Sequence, residues 1–246
     1  MFSKYVICNG TCRKERILAV SKQIYNFLQW RKDYLKENKR IRNTVISKVY
    51  VIGKAGDIHA IQNRIEELAS QHKIDAIDVQ DEFRDGCEYM PDMPLEDVLH
   101  KHETITSSQS KVSCACYLSP DATESLSAAE DPPKVVIVGM LVDRKVQPNR
   151  SKSRAESLQE SQKRTEECVL NCAKLPLDAL NVSDLKVDEA LNIDTVMEMM
   201  QRWWMNCSRD GPSKKAFVDA SARSMLSHRN RHPVRTIHGG ASDVIK

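Results

Sequence analysis

The stretch KVVIVGMLVDRKVQPNRSKS, Lys134 to Ser153, decides the fold. Val135, Val136, Ile137 and Val138 make a continuous β-branched run, which reads as a short strand buried on both faces. Gly139 follows, a residue that lets the backbone approach a ligand closely where the strand stops. In open α/β sheets, ligands bind beyond the carboxyl ends of the strands. The segment after Gly139 is therefore a candidate ligand loop, and Asp143 is its one carboxylate. Arg144, Lys145, Arg150, Lys152 and Arg154 follow it. A lone acid among cations suits proton removal from a polyanionic substrate. The same residues also suit an ordinary solvated βα loop.

Outward from this strand, strands and helices alternate. Tyr5 to Cys8 predicts a first strand, and Ile17, Val20, Ile24, Phe27, Leu28 and Leu35 trace a helical stripe behind it. Val45 to Ile52 predicts a second strand closed by Gly53. Ile58, Ile61, Ile65 and Leu68 mark a helix, with Asp57 as its expected cap. The acidic stretch 78–110 reads as a long inserted loop with a short helix near Leu95 to Leu99. Strands are expected over Val112 to Leu118 and Val169 to Leu175, and a helix over Arg154 to Thr165. Asp194 is the expected cap of a helix carrying Val196, Met199, Met200 and Trp203. The segment 221–246 is polar and basic and reads as a fraying tail, so the folded domain is expected over 1–220. The whole pattern is α/β: a mostly parallel sheet with helices on both faces.

At 246 residues, the chain has ample material for a core. The net charge of +3 says little by itself, but its distribution says more. Arg13 to Arg42 holds ten Lys and Arg against three acids, and Arg144 to Arg164 holds seven against two. Asp75 to Glu103 reverses this, with ten acids against two bases. One basic face and one acidic flap would follow. None of the eight cysteines stands in a CxxC pair, which favours buried free thiols in a reducing compartment. No metal site is expected. No apolar run approaches the roughly 18 residues of a membrane span. The first strand follows Met1 almost at once, so a targeting segment is expected to be absent or already removed.

GxGxxG, GxxxxGK[ST], HExxH and GxSxG are all missing, which argues against the enzyme classes those motifs mark. Four other segments stand in a telling order: YLSPDA (Tyr117 to Ala122), VVIVGMLVDRKVQP (Val135 to Pro148), NCAKLPLDAL (Asn171 to Leu180) and ALNIDTVMEMM (Ala190 to Met200). Together they resemble the SPOUT-class tRNA methyltransferases that act on N1 of the purine at the ninth nucleotide. The resemblance runs from about Tyr5 to Phe217. Gln147-Pro148 after the acid, and Met140 where nuclear and cytosolic relatives carry a second glycine, are more similar to the mitochondrial branch. That branch supplies the methyltransferase subunit of protein-only mitochondrial ribonuclease P.

The resemblance implies a C-terminal trefoil knot that holds S-adenosylmethionine. It implies that Asp143 is the catalytic acid–base residue. The implied cofactor pocket comprises Leu118, Gly139, Met140, Arg144, Lys145, Val146, Gln147, Pro148, Leu175, Leu177, Ala190, Leu191, Asn192, Ile193 and Val196. Arg13, Lys14, Arg16, Lys145, Arg150, Lys152 and Arg154 would contact tRNA or pre-tRNA phosphates. Trp203 and Trp204 are candidate stacking platforms, although helical spacing favours packing for Trp203. The implied partners are a short-chain dehydrogenase-type subunit and a separate nuclease, and the implied location is the mitochondrion. Relatives carry an N-terminal RNA-binding extension that this chain does not show, so tight independent tRNA binding is not expected. The rival expectation is a non-catalytic RNA-binding subunit that presents pre-tRNA to the nuclease.

Overall fold

The computed structural model describes residues 4–10, 14–37, 47–71, 86–103, 115–140, 149–163, 170–180 and 191–231. Six strands form one sheet: β1 (Lys4–Asn9), β2 (Ser47–Gly53), β3 (Cys87–Pro91), β4 (Ala115–Leu118), β5 (Val135–Gly139) and β6 (Leu170–Ala173), in the order β3-β2-β1-β5-β4-β6. Every pairing in it is parallel. A parallel sheet needs crossover connections, and the helices these supply cover both faces. One face carries α1 (Ile17–Glu37), α2 (Ala55–Gln71), α5 (Ile193–Asp210) and α6 (Lys214–Arg231). The other carries α3 (Leu95–Glu103) and α4 (Arg150–Lys163).

Side chains alternate between these layers as the pleat requires. Val136 and Val138 join the core beneath α1, α2 and α5, while Val135 and Ile137 join the core beneath α3 and α4. The continuous apolar run in β5 reflects burial on both sides. Helix α5 is enclosed by the sheet, α1 and α6. Trp203 packs edge-on to Phe217 at 4.8 Å between ring centres, and the Trp204 indole N–H donates to the Pro133 carbonyl at 2.9 Å. Both indoles are buried, so neither is a stacking platform for RNA. Gly211, at φ +81°, stops α5 by turning its N–H back to the Cys207 carbonyl at 2.9 Å.

Several expectations need correction. The acidic stretch contains β3, which pairs with β2 from Val49↔Cys87 to Gly53↔Pro91 and is tied at its edge by Lys48 to Glu88 at 2.6 Å. Helix α6 runs to Arg231 with Ser221 and Ser224 buried, so residues 221–231 belong to the folded domain. Helix α4 begins at Arg150 rather than Arg154, and β6 ends at Ala173, two residues short of Leu175. Asp57 lies inside the first turn of α2; the N–H of Ala55 donates instead to Asp92 Oδ1 at 2.9 Å. Asp194 likewise lies inside α5, whose cap position is Asn192. Cys8, Cys87, Cys116, Cys172 and Cys207 are free thiols, as the cysteine spacing predicted. No helix among the described residues is long and apolar enough to cross a membrane.

Gly53 and Gly56 have opposite roles. A Cβ on Gly53 would meet the Gly10 carbonyl oxygen at 2.4 Å, so the β1 and β2 ends close only around glycine. Gly56 faces open space inside α2. Gly53→Ala should destabilise the chain by about 1–3 kcal/mol through backbone displacement. Gly56→Ala should stabilise it by roughly 0.5–1 kcal/mol by reducing unfolded-state freedom. Urea unfolding of the two variants checks both signs.

Candidate active site

The chain leaves β1 toward the α1 face and leaves β5 toward the α4 face. Neighbouring strands whose connections part in this way open a crevice at their carboxyl ends. Its floor is stitched by backbone bonds. The N–H of Met140 donates to the Asn9 carbonyl at 2.9 Å, and that of Gly10 to the Ile52 carbonyl at 3.3 Å. Gly139 therefore ends β5 at the lip of this crevice, opposite Asn9.

Two further segments converge on the same edge. After β4, Ser119 is buried, and its N–H donates to the Ala173 carbonyl at 3.0 Å. Its hydroxyl accepts from the Asp121 N–H at 3.3 Å, which shapes the Ser119-Pro120-Asp121 turn. Asp121 Oδ2 then accepts the Asn149 N–H at 2.8 Å. Asn149 sits at φ +62°, a conformation that asparagine tolerates better than most residues. The stretch that carries Asp143 thus starts from Met140, bonded to β1, and rejoins the described fold at Asn149, bonded to the β4 turn. After β6, Leu175 to Leu180 make a tight turn in which the Leu177 N–H donates to the Leu175 carbonyl at 2.8 Å.

The last contribution is the start of α5. Gln23 of α1 accepts the Ile193 N–H on its Oε1 at 2.8 Å, deep in the protein. Asp194 is fully buried; it accepts from Asn26 at 3.4 Å and from its neighbour's N–H, that of Thr195, at 2.9 Å. One turn on, buried Glu198 holds Arg202 at 2.9 Å, and the Arg202 guanidinium lies 4.8 Å from the Trp30 ring centre. A polar seam between α1 and α5 thereby fixes where residues 191–196 sit.

Of the residues expected in the pocket, Leu118, Met140, Ile193 and Val196 share one buried cluster, with Leu175, Leu177 and Leu191 half-buried against it. Gly139 and Asn192 flank them. Asp143, Arg144, Lys145, Val146, Gln147, Pro148, Ala190 and Arg13 lie outside the described residues. Lys14 is exposed and Arg16 half-buried on a short 3-10 turn before α1. Arg150 opens α4, Lys152 reaches Thr123 Oγ1 at 3.4 Å, and Arg154 is exposed. Sequence reasoning missed Asn9, Gln23 and Asp121. The cue for Asn9 was a polar amide closing an otherwise apolar strand. Burial pushes the Tyr117 hydroxyl up to about 12 despite the nearby Arg154, and pushes the Cys116 thiol up to about 12 as well. Neither group accepts a proton at neutral pH in that state.

No protein-family profile and no curated relative matches the chain. Solved structures do. Full-length spTrm10, in complex with SAH, aligns over 89% of this chain and 96% of its own at 16% identity, with a TM-score of 0.51. A second spTrm10 structure, spTrm10(74), aligns over 89% and 95% at 16% identity and 0.50. A dual-specific Trm10 from Thermococcus kodakaraensis aligns over 90% and 99% at 12% identity and 0.50. The chain shares its fold with these Trm10 proteins. At such identities the likeness is one of fold.

Gln23→Ala would strand the Ile193 N–H in the interior. It should cost about 1–3 kcal/mol in urea unfolding, the penalty for a buried unpaired donor. Gln62→Ala removes only an exposed bond to Glu66 and should stay within about 0.5 kcal/mol of the parent.

Proposed function

We propose that this chain is an S-adenosylmethionine-dependent methyltransferase acting on N1 of the purine at the ninth nucleotide of tRNA. The observation that carries the reading is the meeting of Leu118, Met140, Leu175, Leu177, Leu191, Ile193 and Val196 at one sheet edge, on a fold shared with Trm10 proteins. The SAH in the spTrm10 structure supports the choice of cofactor. The residues present are of the kind that would hold an adenosine. Leu175, Leu177 and Leu191 keep part of their apolar surface uncovered beside the buried Leu118, Met140, Ile193 and Val196, which suits a flat aromatic ring. Bound there, S-adenosylmethionine would supply an activated methyl group with a neutral thioether as the departing half. We read the C-terminal part of the chain as closing the trefoil knot of the SPOUT class, on the four sequence segments that resemble it.

Within that reading, Asp143 takes the N1 proton of guanine while N1 bonds to the incoming methyl carbon. The β1–β5 crevice and the fixed start of α5 align the two reactants, and alignment supplies much of the acceleration. Helix α4 adds an electrostatic cue. Its first turn has no acid and begins with Arg150, although cations at a helix N-terminus oppose the dipole. Arg150, Lys152 and Arg154 there suit tRNA phosphates, with Lys14, Arg16, Arg13 and Lys145 contributing from neighbouring segments. The sequence resemblance further supports a mitochondrial location. It also supports assembly with a short-chain dehydrogenase-type subunit and a nuclease for 5′ processing of pre-tRNA, which co-purification with those subunits tests.

A second reading, an RNA-binding subunit without transferase activity, is favoured by Met140. Its buried side chain occupies the place where nuclear and cytosolic relatives carry a second glycine. Methyl transfer by the isolated chain separates the two readings.

S-adenosylhomocysteine in excess should raise the melting temperature of the chain, and Gly139→Val should abolish the shift. Asp143→Asn should keep the shift yet slow transfer to a guanine-9 tRNA by about 10²–10⁴-fold under single-turnover conditions. An unshifted melt in a folded sample, or a wild-type rate for Asp143→Asn, contradicts the assignment.

Affinity for tRNA should fall linearly on a log–log plot against salt, with a slope of about −0.9 per phosphate contact on duplex regions. Reversing Lys145, Arg150 and Lys152 to Glu should weaken unrelated tRNAs alike and flatten that slope, as measured by filter binding across a salt series.

A further inference from the structure

Helix α4 does not supply its own N-terminal acid. Its first turn, Arg150 to Ser153, holds no carboxylate and two cations, against the sign that a helix dipole favours there. The acid comes from another element. Asp121, half-buried on the turn after β4, accepts the Asn149 N–H on Oδ2 at 2.8 Å. The Asn149 carbonyl in turn accepts the first bond of the helix, from the Ser153 N–H at 2.8 Å. Asn149 makes this junction at φ +62°, whereas the residue before a helix is usually extended. A backbone outlier of this kind persists only where its surroundings hold it, and such outliers gather at functional positions. Two further bonds brace the turn. Ser119, itself tied to the Ala173 carbonyl, accepts the Asp121 N–H at 3.3 Å, and Lys152 Nζ reaches Thr123 Oγ1 at 3.4 Å.

We propose that Asp121 is a positioning residue for tRNA binding: from the sheet edge its carboxylate fixes the start of α4, so that Lys152 and Arg154 meet phosphate from a preset helix. This rests on the tRNA reading above. An acid inside the first turn would complement the dipole equally well, but it would stand among the cations that meet the RNA. With the acceptor on the neighbouring turn, the helix is anchored and its own first turn stays free of acids. Asp121 then acts on RNA binding in two ways. Its charge opposes binding, because a carboxylate beside a basic turn repels phosphate. Its hydrogen bond favours binding, because cations on an ordered turn lose less freedom when they engage. The two effects have opposite signs, which makes them separable.

Filter binding of an unmodified tRNA transcript to the full chain at low salt tests this. Asp121→Asn removes the charge but keeps an oxygen acceptor, so affinity should hold or rise. Asp121→Ala removes the same charge together with the acceptor. Its affinity should fall about three- to tenfold below that of Asp121→Asn, the worth of one hydrogen bond of modest strength. Asn149→Gly, which adopts a positive φ freely, should bind as the parent does. Asn149→Val, β-branched and ill-suited to that φ, should weaken binding as Asp121→Ala does. Near-UV circular dichroism, which reports the buried Trp203 and Trp204, should match the parent in every variant. Equal affinities for Asp121→Ala and Asp121→Asn overturn the positioning role and leave Asp121 acting by charge alone. A loss in Asp121→Ala that comes with an altered near-UV spectrum overturns it too, as general damage. If Asn149→Val does not fold, the two Asp121 variants decide. Parent chain that binds no tRNA overturns the tRNA reading and this inference with it, whereas parent binding with the two Asp121 variants alike overturns only the latter.

Discussion

The arrangement depends on one pairing, that of β1 with β5 at the centre of the sheet. Their connections depart to opposite faces, so no helix can cover both carboxyl ends at once. The remaining carboxyl-edge segments are arranged around the resulting gap. The β4 turn reaches the start of α4 through Asp121, and the β6 turn brings Leu175 and Leu177 to the apolar floor. Helix α1 spans the other side, where Gln23 and Asn26 hold the start of α5. A crevice suited to a ligand is expected here because the connections of the two central strands part to opposite faces.

The polar seam between α1 and α5 sets how firmly one wall of that gap is held. Asp194 and Glu198 are charged-type side chains with no exposure; Asp194 is met by Asn26 of α1 and by the Thr195 N–H, and Glu198 by Arg202 of its own helix, whose guanidinium lies over Trp30 of α1. Buried polar networks of this kind fix one arrangement of two helices, because a slipped alternative would leave donors and acceptors unpaired. The aromatic pair Trp30 and Tyr34 extends the seam outward by stacking near Arg202. A pocket wall formed by α5 is therefore placed by hydrogen-bond geometry as well as by apolar packing.

Much of this was legible in the sequence, and what was not has identifiable physical causes. The β-branched run at Val135 to Val138 announced a doubly buried strand, and the apolar spacing of Ile58, Ile61, Ile65 and Leu68 announced α2. Strand β3 was hidden because CEYMP is short, ends in proline and lies among acids; its pairing to β2 is a tertiary effect. Helix α6 was hidden because, beyond Phe217, its buried stripe is serine and alanine, at Ala216, Ala220, Ser221 and Ser224. Small side chains let two helices approach closely, yet they carry little hydrophobic signal. Strand order is set by long-range pairing that no local pattern encodes. The segments around the pocket were found through resemblance, and the leucines there would otherwise read as core. Asn9 and Gln23 escaped because a single buried amide is recognisable only once its surroundings are known.

The central strand pair also governs when the molecule can become complete. Tyr5 pairs with Val135, so once β1 has been made it waits about 130 residues of synthesis for its second neighbour. At ribosomal rates of about 5–20 residues per second, that edge of β1 stays bare for roughly 6–26 seconds while β2 and β3 can already pair on the other side. A hydrophobic parallel edge left open is a template for wrong partners, and nonlocal closure is intrinsically slow. The seam at the centre of the sheet thus closes long after β1 has been made, and β6 can add to β4 only after that. The nascent chain has most to gain from chaperone protection during that interval.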